Sequence, residues 1–303
     1  MKELKVLTYN VDLLPQNLNL KDLPWWLQPV RWIYKLVKKT NLITINDNIT
    51  NAYDIGRYLL ECNADIIALQ EDFNYHTEMY YSFSAIRNIY DDTTHTGKID
   101  FKNIKWFPYP KFKADGLNLL VKKGIKIFLE DIVKWNKSYG YFSNANDLLT
   151  TKGFRFYNIM FNGVTLDVYN IHMDADFYNG SINVDKDLEA RCSQFEQLVE
   201  YIKLRKNSNI HNPIIIMGDT NSYDKYDWDV DNIKVHLIHE LDHEFEFSVN
   251  EALPHNFSDC DRIFYINNVY SDFELRLKEC YFDVDTKLSD HYPLIATFNL
   301  SEK

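Results

Sequence analysis

The sequence predicts an α/β sandwich in which two mostly antiparallel sheets pack together under outer helices. Helical stretches lie between many strand-like apolar runs, but without the regular alternation that a series of βαβ units requires. Short turns at 122–124 and 162–163 join neighbouring runs, which favours hairpins over 118–129 and 154–171. The strand-like runs are 4–9, 65–70, 118–121, 125–129, 154–160, 164–171, 213–218, 262–266 and 293–299.

Three stretches fit helices, at 27–38, 48–62 and 186–206. In the last of them apolar side chains recur at helical spacing, which predicts a stripe that faces the core. No internal repeat, low-complexity tract or Pro/Gly/Ser linker interrupts the chain, so we expect one domain over 1–303 with an aromatic and basic insertion at about 13–46. The stripe consists of Leu188, Cys192, Phe195, Leu198, Val199 and Ile202.

The composition is typical of a soluble globular protein with a sizeable core, because 46% of the 303 residues are apolar and 25% are charged. The formal net charge is −11. Proteins that depend on non-specific duplex binding normally carry a basic face, since phosphate contacts supply most of that affinity. The acidic balance therefore argues against a nuclease, although it leaves room for a local basic groove.

The four cysteines, Cys62, Cys192, Cys260 and Cys280, show neither CxxC nor another metal-type spacing, which indicates free thiols. The first residues run directly into a strand, without the charged region and apolar region of a secretory leader. No stretch reaches the roughly 18 apolar residues of a membrane span. We therefore expect a cytoplasmic protein, or a secreted one if a leader was removed from this sequence.

The segment 24–39, PWWLQPVRWIYKLVKK, combines large aromatic side chains with cationic ones. A basic, Trp-rich amphipathic helix is suited to lie in a membrane interface. The same pattern also fits a helix that packs its aromatic side chains on the core and turns its lysines to solvent. The sequence leaves both interpretations open.

Five segments end a predicted strand on polar side chains that suit the handling of a phosphodiester. They lie far apart in the sequence, so only folding can bring them together. Oxygen ligands, amides and imidazoles at successive strand ends indicate metal-assisted hydrolysis of a phosphate ester. The residues are Asn10, Glu71, His172, Asp219 with Asn221, and Asp290 with His291.

Glu71 and Asn10 are the candidate metal ligands. A carboxylate at a strand end is a hard ligand of the kind that Mg²⁺ prefers, and the Asn10 amide either binds the same ion or orients its water. Asp219 and Asn221 are two residues apart after an apolar run. Their side chains can therefore lie together at the end of one strand, one as a hydrogen-bond acceptor and the other as a donor. The alternative is an Asx-type turn.

His291 and His172 are the candidate residues for proton transfer and charge stabilisation. Asp290 directly precedes His291. We expect its carboxylate to raise the basicity of the imidazole and to fix its tautomer. A water activated by this base would attack phosphorus, while His172 and the metal offset charge on the phosphoryl oxygens.

The segments LTYN, ALQED, NIHMD, MGDTNS and SDHYP together resemble the motifs of the endonuclease/exonuclease/phosphatase superfamily, in the same order and over nearly the whole chain. The resemblance implies a four-layered α/β sandwich that uses Mg²⁺, with Mn²⁺ as an alternative. It implies that Asn10 and Glu71 lie at the metal, and that Asp219 and Asn221 orient the nucleophile and the phosphate.

The same resemblance implies roles for the histidines. His291 would be the general base, paired with Asp290, and His172 would stabilise the transition state. Asp261, in CDRIFY, matches a position where the superfamily often has an aspartate near the strand that supports the first histidine.

A second resemblance concerns the substrate. The stretch DLLTTKG places Asp147 five residues before Lys152 and is similar to the Asp-Lys box of neutral sphingomyelinases, where that pair helps to set an active configuration. DLEARCSQFEQL resembles the helix after the His strand of those enzymes, in which Arg191 and Gln194 would be structural. The alternative for Asp147 and Lys152 is a solvated ion pair worth under about 1 kcal/mol.

The chain also departs from the superfamily pattern. After His172 it reads Met-Asp-Ala-Asp, where Asp174 either adds a metal ligand or caps the turn. QEDFNYH extends the Glu71 motif, and the loop after Asn10 is long. These departures bear on the substrate and not on the type of reaction.

We therefore expect a metal-dependent phosphoric diester hydrolase that cleaves sphingomyelin or a related phospholipid on the phosphate side. A nuclease or an inositol-phosphate phosphatase of the same superfamily is the alternative. The acidic composition argues against the first, and the lack of an obvious basic cluster argues against the second. A binding protein without activity would require the loss of a catalytic residue, yet all of the expected ones are in place.

Overall fold

The computed structural model describes residues 2–14, 48–81, 84–100, 102–106, 111–139, 147, 150–175, 184–208, 210–222 and 247–303. The expected helix at 27–38, the segment 24–39 and most of the insertion at 13–46 lie outside these residues, so both interpretations of that segment stay predictions. Within the described ranges, no helix is long and apolar enough to cross a membrane.

The strands of the described residues form two six-stranded sheets and one small hairpin. Sheet 1 contains, from edge to edge, β13 (Phe273–Phe282), β14 (Leu294–Glu302), β1 (Lys2–Asn10), β2 (Ile66–Gln70), β6 (Asn118–Lys122) and β3 (Tyr90–Asp92). Sheet 2 contains β11 (Phe247–Glu251), β12 (Asp261–Asn268), β10 (Ile214–Asp219), β9 (Val164–His172), β8 (Gly153–Phe161) and β7 (Lys126–Lys134). The hairpin pairs β4 (Ile104–Lys105) with β5 (Lys111–Phe112).

Helices cover the outer face of each sheet, which confirms the four-layered α/β sandwich. Helix α1 (Asn48–Cys62) packs on sheet 1, and α3 (Val184–Asn207) packs on sheet 2. A π-helical turn (Thr77–Tyr81) and α2 (Ser84–Ile89) lie between β2 and β3. The face of α3 buries Phe195, Leu198, Val199 and Ile202, which confirms most of the expected stripe. Between the sheets lies a third apolar cluster that includes Val6, Ile66, Val168 and Ile215.

The expected strands and the helices at 48–62 and 186–206 correspond to observed elements, but the hairpin over 118–129 is wrong. β6 pairs with β2 and β3 in sheet 1, whereas β7 pairs with β8 in sheet 2, so the turn at 122–124 crosses between the sheets. The two runs have different surroundings, because β6 is almost entirely buried and β7 is a largely exposed edge strand. The hairpin over 154–171 is confirmed as β8 and β9.

Two parallel strand pairs place the polar strand ends at one edge of the sandwich. β1 is parallel to β2 in sheet 1, with Asn10 opposite Gln70, and β9 is parallel to β10 in sheet 2, with His172 opposite Asp219. The other strand pairs in the described residues are antiparallel. Parallel strands end side by side, so each pair delivers two neighbouring polar positions.

Gly218 permits the close approach of β10 to β9 just before Asp219. Its φ is +148°, and a Cβ at this position would lie 2.0 Å from the carbonyl oxygen of Ile171. Any side chain here would push the two strands apart. The glycine therefore helps to place Asp219 beside His172.

A buried ion-pair network holds the loop that carries Glu71. His76 Nδ1 lies 2.6 Å from Asp72 Oδ2, and His76 Nε2 lies 2.9 Å from Asp92 Oδ2. Asn118 Nδ2 donates to both carboxylates, at 3.1 and 2.7 Å. Burial lowers the pKa of His76, but the two carboxylates outweigh it and raise the pKa to about 10. The network fixes Asp72 and thereby the preceding Glu71, which has a left-handed φ of +55°.

This network predicts a pH-dependent stability. Because the pKa of His76 rises from 6.5 to about 10 on folding, its contribution is fully present below pH 6.5 and is lost as the pH rises through about 10. His76→Gln should lower the free energy of unfolding by about 3 kcal/mol near pH 6, because it leaves the buried carboxylate of Asp72 and the largely buried one of Asp92 without their cation. Urea unfolding at pH 6, 8 and 10 measures the effect.

The difference between wild type and His76→Gln should shrink toward pH 10. His255→Gln is the matched control, because the His255 ring contacts the backbone oxygen of Cys280 at 2.7 Å instead of a carboxylate. A His76→Gln effect that stays constant over this pH range would contradict the buried imidazolium.

Candidate active site

The ends of the two parallel strand pairs bring all five expected segments together. Asn10 Nδ2 donates to Asp219 Oδ2 at 3.0 Å and to Glu71 Oε1 at 3.3 Å. The same nitrogen lies 3.4 Å from His291 Nε2. His172 Nε2 lies 3.5 Å from Asp219 Oδ2. The convergence that the sequence predicted is therefore present in the structure.

Glu71 and Asp219 present two carboxylates to the same space, a donor set that fits a hard divalent cation. Burial raises the pKa of Glu71 to about 7, against the opposing charge of Lys152. Burial acts on Asp219 in the same direction, but neighbouring positive charge, with His291 foremost, outweighs it and lowers the pKa to about 2. The positive charge of Lys152 does not fully offset the burial of Glu71, and a bound cation would supply more.

Asn10 lies where a metal ligand was expected, but its amide nitrogen faces the carboxylates. Its Oδ1 accepts a hydrogen bond from the backbone nitrogen of Asp12 at 3.2 Å. In this arrangement Asn10 is a donor that holds Glu71 and Asp219 side by side. Direct ligation by Asn10 requires the amide to turn its oxygen inward, whereas Glu71 can bind a metal as it stands.

The prediction that Asp290 pairs with His291 is wrong, because the partner is Asp261. His291 Nδ1 lies 2.7 Å from Asp261 Oδ2. Asp261 is buried at the start of β12, opposite Asp219 of β10. Asp290 is exposed and accepts a hydrogen bond from Ser289 Oγ at 3.2 Å. A buried carboxylate holds an imidazole more firmly than one in water, where ion pairs contribute little.

Asp261 also controls the charge of His291. Burial alone would lower the pKa of His291, but the neighbouring acidic groups, with Asp261 foremost, raise it well above its ordinary value. The hydrogen bond at Nδ1 leaves Nε2 directed toward Asn10 and Asp219, at 3.4 and 3.8 Å. The ring is therefore fixed with one nitrogen on its partner and the other in the site.

His172 is a neutral imidazole in the same site. Burial and the charge of Lys152 lower its pKa well below its ordinary value. Nε2 lies 3.5 Å from Asp219 Oδ2 and 3.8 Å from Glu71 Oε1, while the backbone oxygen accepts a hydrogen bond from Trp135 Nε1. A neutral ring can stabilise a phosphoryl oxygen by donating a hydrogen bond and not by a full charge.

Asp219 and Asn221 form the Asx-type turn that was the alternative for this motif. The backbone nitrogen of Asn221 donates to Asp219 Oδ1 at 2.9 Å, and Asn221 has a left-handed φ of +50°. Asn221 Nδ2 donates to the backbone oxygen of Met173 at 3.0 Å. The turn leaves Asp219 Oδ2 facing Asn10, so Asp219 contributes to the site. The Asn221 amide nitrogen instead binds the loop after β9.

Asp147 and Lys152 form a buried pair and not a solvated one. Lys152 Nζ lies 2.5 Å from Asp147 Oδ1, with side chains that are 8% and 3% exposed. Lys152 also donates to the backbone oxygen of Met173 at 2.9 Å, and Asp147 Oδ2 accepts from the backbone nitrogen of Ala175. Burial opposes the charge on Lys152, but Asp147 and Asp174 outweigh it and raise its pKa. The pair therefore fixes a charged lysine beside the loop that follows His172.

Asp174 holds neighbouring segments together, which supports its structural alternative over that of a metal ligand. Its Oδ2 accepts from the backbone nitrogen of Tyr139 at 2.6 Å, and its own nitrogen donates to Gln194 Oε1 at 3.0 Å. Arg191 Nη1 donates to its backbone oxygen at 3.4 Å. Arg191 and Gln194 thus have the structural contacts that the sequence predicted.

A cavity of about 270 Å³ opens beside Glu71, Lys152 and His172, and sequence reasoning did not find it. Phe112 belongs to the small β4–β5 hairpin and Ile99 to a loop, so no strand-end motif could have pointed to them. A mostly apolar cavity with a few polar groups is typical of a small-ligand site. Its apolar walls are Leu14, Phe73, Ile99, Phe112 and Ala175.

No protein-family model and no curated protein matches this chain. Among solved structures, a beta toxin variant from Staphylococcus aureus with bound magnesium ions has a TM-score of 0.63 at 18% identity, over 97% of this chain and 99% of that one. SmcL has a TM-score of 0.59 at 19% identity, over 98% and 99%. D. rerio TDP2 complexed with a single-strand DNA product has a TM-score of 0.60 at 15% identity, over 99% and 100%.

These likenesses cover nearly the full length of each chain, so they concern the whole sandwich and not a shared fragment. At 15–19% identity they show the fold. The four-layered architecture implied by the motif resemblance is therefore confirmed, and the chain has the fold that beta toxin, SmcL and TDP2 share.

Proposed function

We propose that this chain is a Mg²⁺-dependent phosphodiesterase that hydrolyses sphingomyelin or a closely related phospholipid. The observation that carries the proposal is the buried Asp261–His291 pair, in which the second ring nitrogen, Nε2, faces the same space as Glu71, Asp219 and Asn10. An oriented imidazole beside hard oxygen ligands is the arrangement needed for metal-assisted attack of water on phosphorus.

Each residue of the site has a separate role in the proposed reaction. Because its pKa is raised, His291 must first lose the proton on Nε2. The unprotonated Nε2 then accepts a proton from the attacking water, while Asp261 holds the proton on Nδ1 and stabilises the imidazolium that forms. As water adds to phosphorus, the bond from phosphorus to the lipid oxygen breaks, and that oxygen takes up a proton from solvent as ceramide and the phosphorylated headgroup are released. His172 donates a hydrogen bond to a phosphoryl oxygen, and the charge of Lys152 offsets negative charge nearby.

Glu71 would hold the metal, with Asn10 beside it if its amide turns. When bound, Mg²⁺ supplies Lewis-acid polarisation of a phosphoryl oxygen and positive charge that offsets the carboxylates around His291. The magnesium ions in the structurally similar beta toxin support this choice of ion. Mn²⁺, with similar oxygen preferences, is the alternative.

Two observations favour a phospholipid. The Asp147–Lys152 pair, which resembles the Asp-Lys box of neutral sphingomyelinases, is buried and adjoins the site. The cavity beside Glu71 has mostly apolar walls, which suit a weakly hydrated group next to the phosphate and not a multiply charged inositol ring. Nucleic-acid hydrolysis is the second candidate, because TDP2 with bound single-strand DNA product shares the fold.

The first prediction concerns the partner of His291. Asp261→Asn should lower kcat by about 10²–10⁴-fold, because the amide cannot stabilise the imidazolium and can favour the wrong tautomer. His291→Ala should lower kcat by at least as much. Asp290→Asn is the matched control, since Asp290 is exposed, and it should retain near wild-type activity. Loss of activity in Asp290→Asn with full activity in Asp261→Asn would reverse the assignment.

The second prediction concerns substrate and metal. In a panel of sphingomyelin, phosphatidylcholine, inositol phosphates and single-stranded DNA, sphingomyelin should be hydrolysed fastest with Mg²⁺, and EDTA should abolish its turnover. Release of the phosphorylated headgroup measures the rate. Full activity in EDTA would contradict the metal requirement, and faster cleavage of DNA would favour the second candidate.

A further inference from the structure

Cys260 places a thiol against the residues to which catalysis is assigned. It directly precedes Asp261, its side chain is fully buried, and its Sγ lies 3.7 Å from His291 Nδ1. The spacing of the cysteines in the sequence indicates no metal site. In the folded chain, however, donors from distant segments, Asp219 and His291, lie near this thiol.

We propose that Asp219, Cys260 and His291 form a binding site for Zn²⁺ or another thiophilic divalent cation, and that occupation of this site inhibits the enzyme. A carboxylate oxygen, the thiol sulfur and a ring nitrogen of these residues all lie within 4.8 Å of one another. The binding half of the proposal is independent of the proposed function, and only the inhibition rests on it.

The donor set distinguishes this site from the one proposed for Mg²⁺. Zn²⁺ favours sulfur, imidazole and carboxylate ligands in a tetrahedral arrangement, whereas Mg²⁺ favours oxygen. With bond lengths of about 2.0–2.3 Å, tetrahedral donors lie roughly 3.3–3.8 Å apart, so donor atoms within 4.8 Å of one another must move closer together. Because Cys260 Sγ lies beside Nδ1, binding through Nε2 requires the thiol and the ring to move relative to each other. The thiol proton of Cys260 passes to solvent as the metal–sulfur bond forms.

Asp261 prepares His291 for this role as well. Its Oδ2 lies 2.7 Å from Nδ1, which leaves the Nε2 lone pair available to a metal once that nitrogen is unprotonated. A carboxylate that orients a histidine in this way is the usual outer partner of zinc-bound histidines. Three protein ligands leave a fourth position open to water.

Occupation of the site removes two groups from the reaction. A metal on His291 Nε2 uses the lone pair that would accept the proton of water, and it draws Asp219 away from Asn10. Zn²⁺ should therefore inhibit even when Mg²⁺ is in large excess, because the two ions prefer different donors.

Cobalt(II) titrated into the full chain tests the site directly, since a thiolate ligand produces a sulfur-to-cobalt charge-transfer band in the near ultraviolet. Wild type should show the band, and Zn²⁺ should abolish it by displacement. Cys260→Ser and Cys260→Ala should lack the band and should bind Zn²⁺ at least about 10-fold more weakly by calorimetry. Circular dichroism establishes that each variant is folded.

Cys280→Ser is the matched control, because Cys280, in β13, is also a buried thiol but donates to the backbone oxygen of Ala252. It should keep the band. Absence of the band in wild type, or its retention in both Cys260 variants, would overturn the proposal. Zn²⁺ inhibition at 10³-fold Mg²⁺ excess should weaken about 10-fold in Cys260→Ser. A cobalt band in a protein that hydrolyses no phosphodiester would uphold the site and refute the proposed function.

Discussion

The hydrogen bond from Asn10 to Asp219 joins the two sheets at their strand ends, beyond the apolar cluster that fills most of the space between them. Each partner ends one strand of a parallel pair, so this single contact aligns four strand ends. Glu71 follows β2 beside Asn10, and His172 lies opposite Asp219 in β9. The site therefore exists only where the carboxyl ends of both parallel pairs are held at the same level.

A second row of buried amides behind the site fixes that level. Gln70 Nε2 donates to Asn170 Oδ1 at 2.7 Å, and Asn170 Nδ2 donates to the backbone oxygens of Leu69 and Asn118. An apolar interface tolerates small lateral shifts, whereas a buried amide loses its partner if the sheets slide. The amides thus fix one relative position of the two sheets, and the proposed chemistry depends on that position.

The polar strand ends, the long helices and most strands could be predicted from the sequence, because each depends on local apolar patterns. The partner of His291 could not. Asp290 is adjacent in sequence but exposed, and Asp261 reaches the ring only because β12 lies beside β10. The crossing between sheets at 122–124, the β13 strand with its alternating charges, and the donor set around Cys260 also depend on long-range pairing that local patterns do not report.

In the proposed function, the joined strand ends form one divalent-metal centre. Mg²⁺ titrated into the full chain by calorimetry tests this centre, with Glu71→Gln as the variant and Glu3→Gln as a carboxylate control, because Glu3 is exposed near the opposite end of β1. Wild type and Glu3→Gln should bind Mg²⁺ alike, and folded Glu71→Gln should bind at least about 10-fold more weakly. Unchanged Mg²⁺ affinity in Glu71→Gln would contradict it.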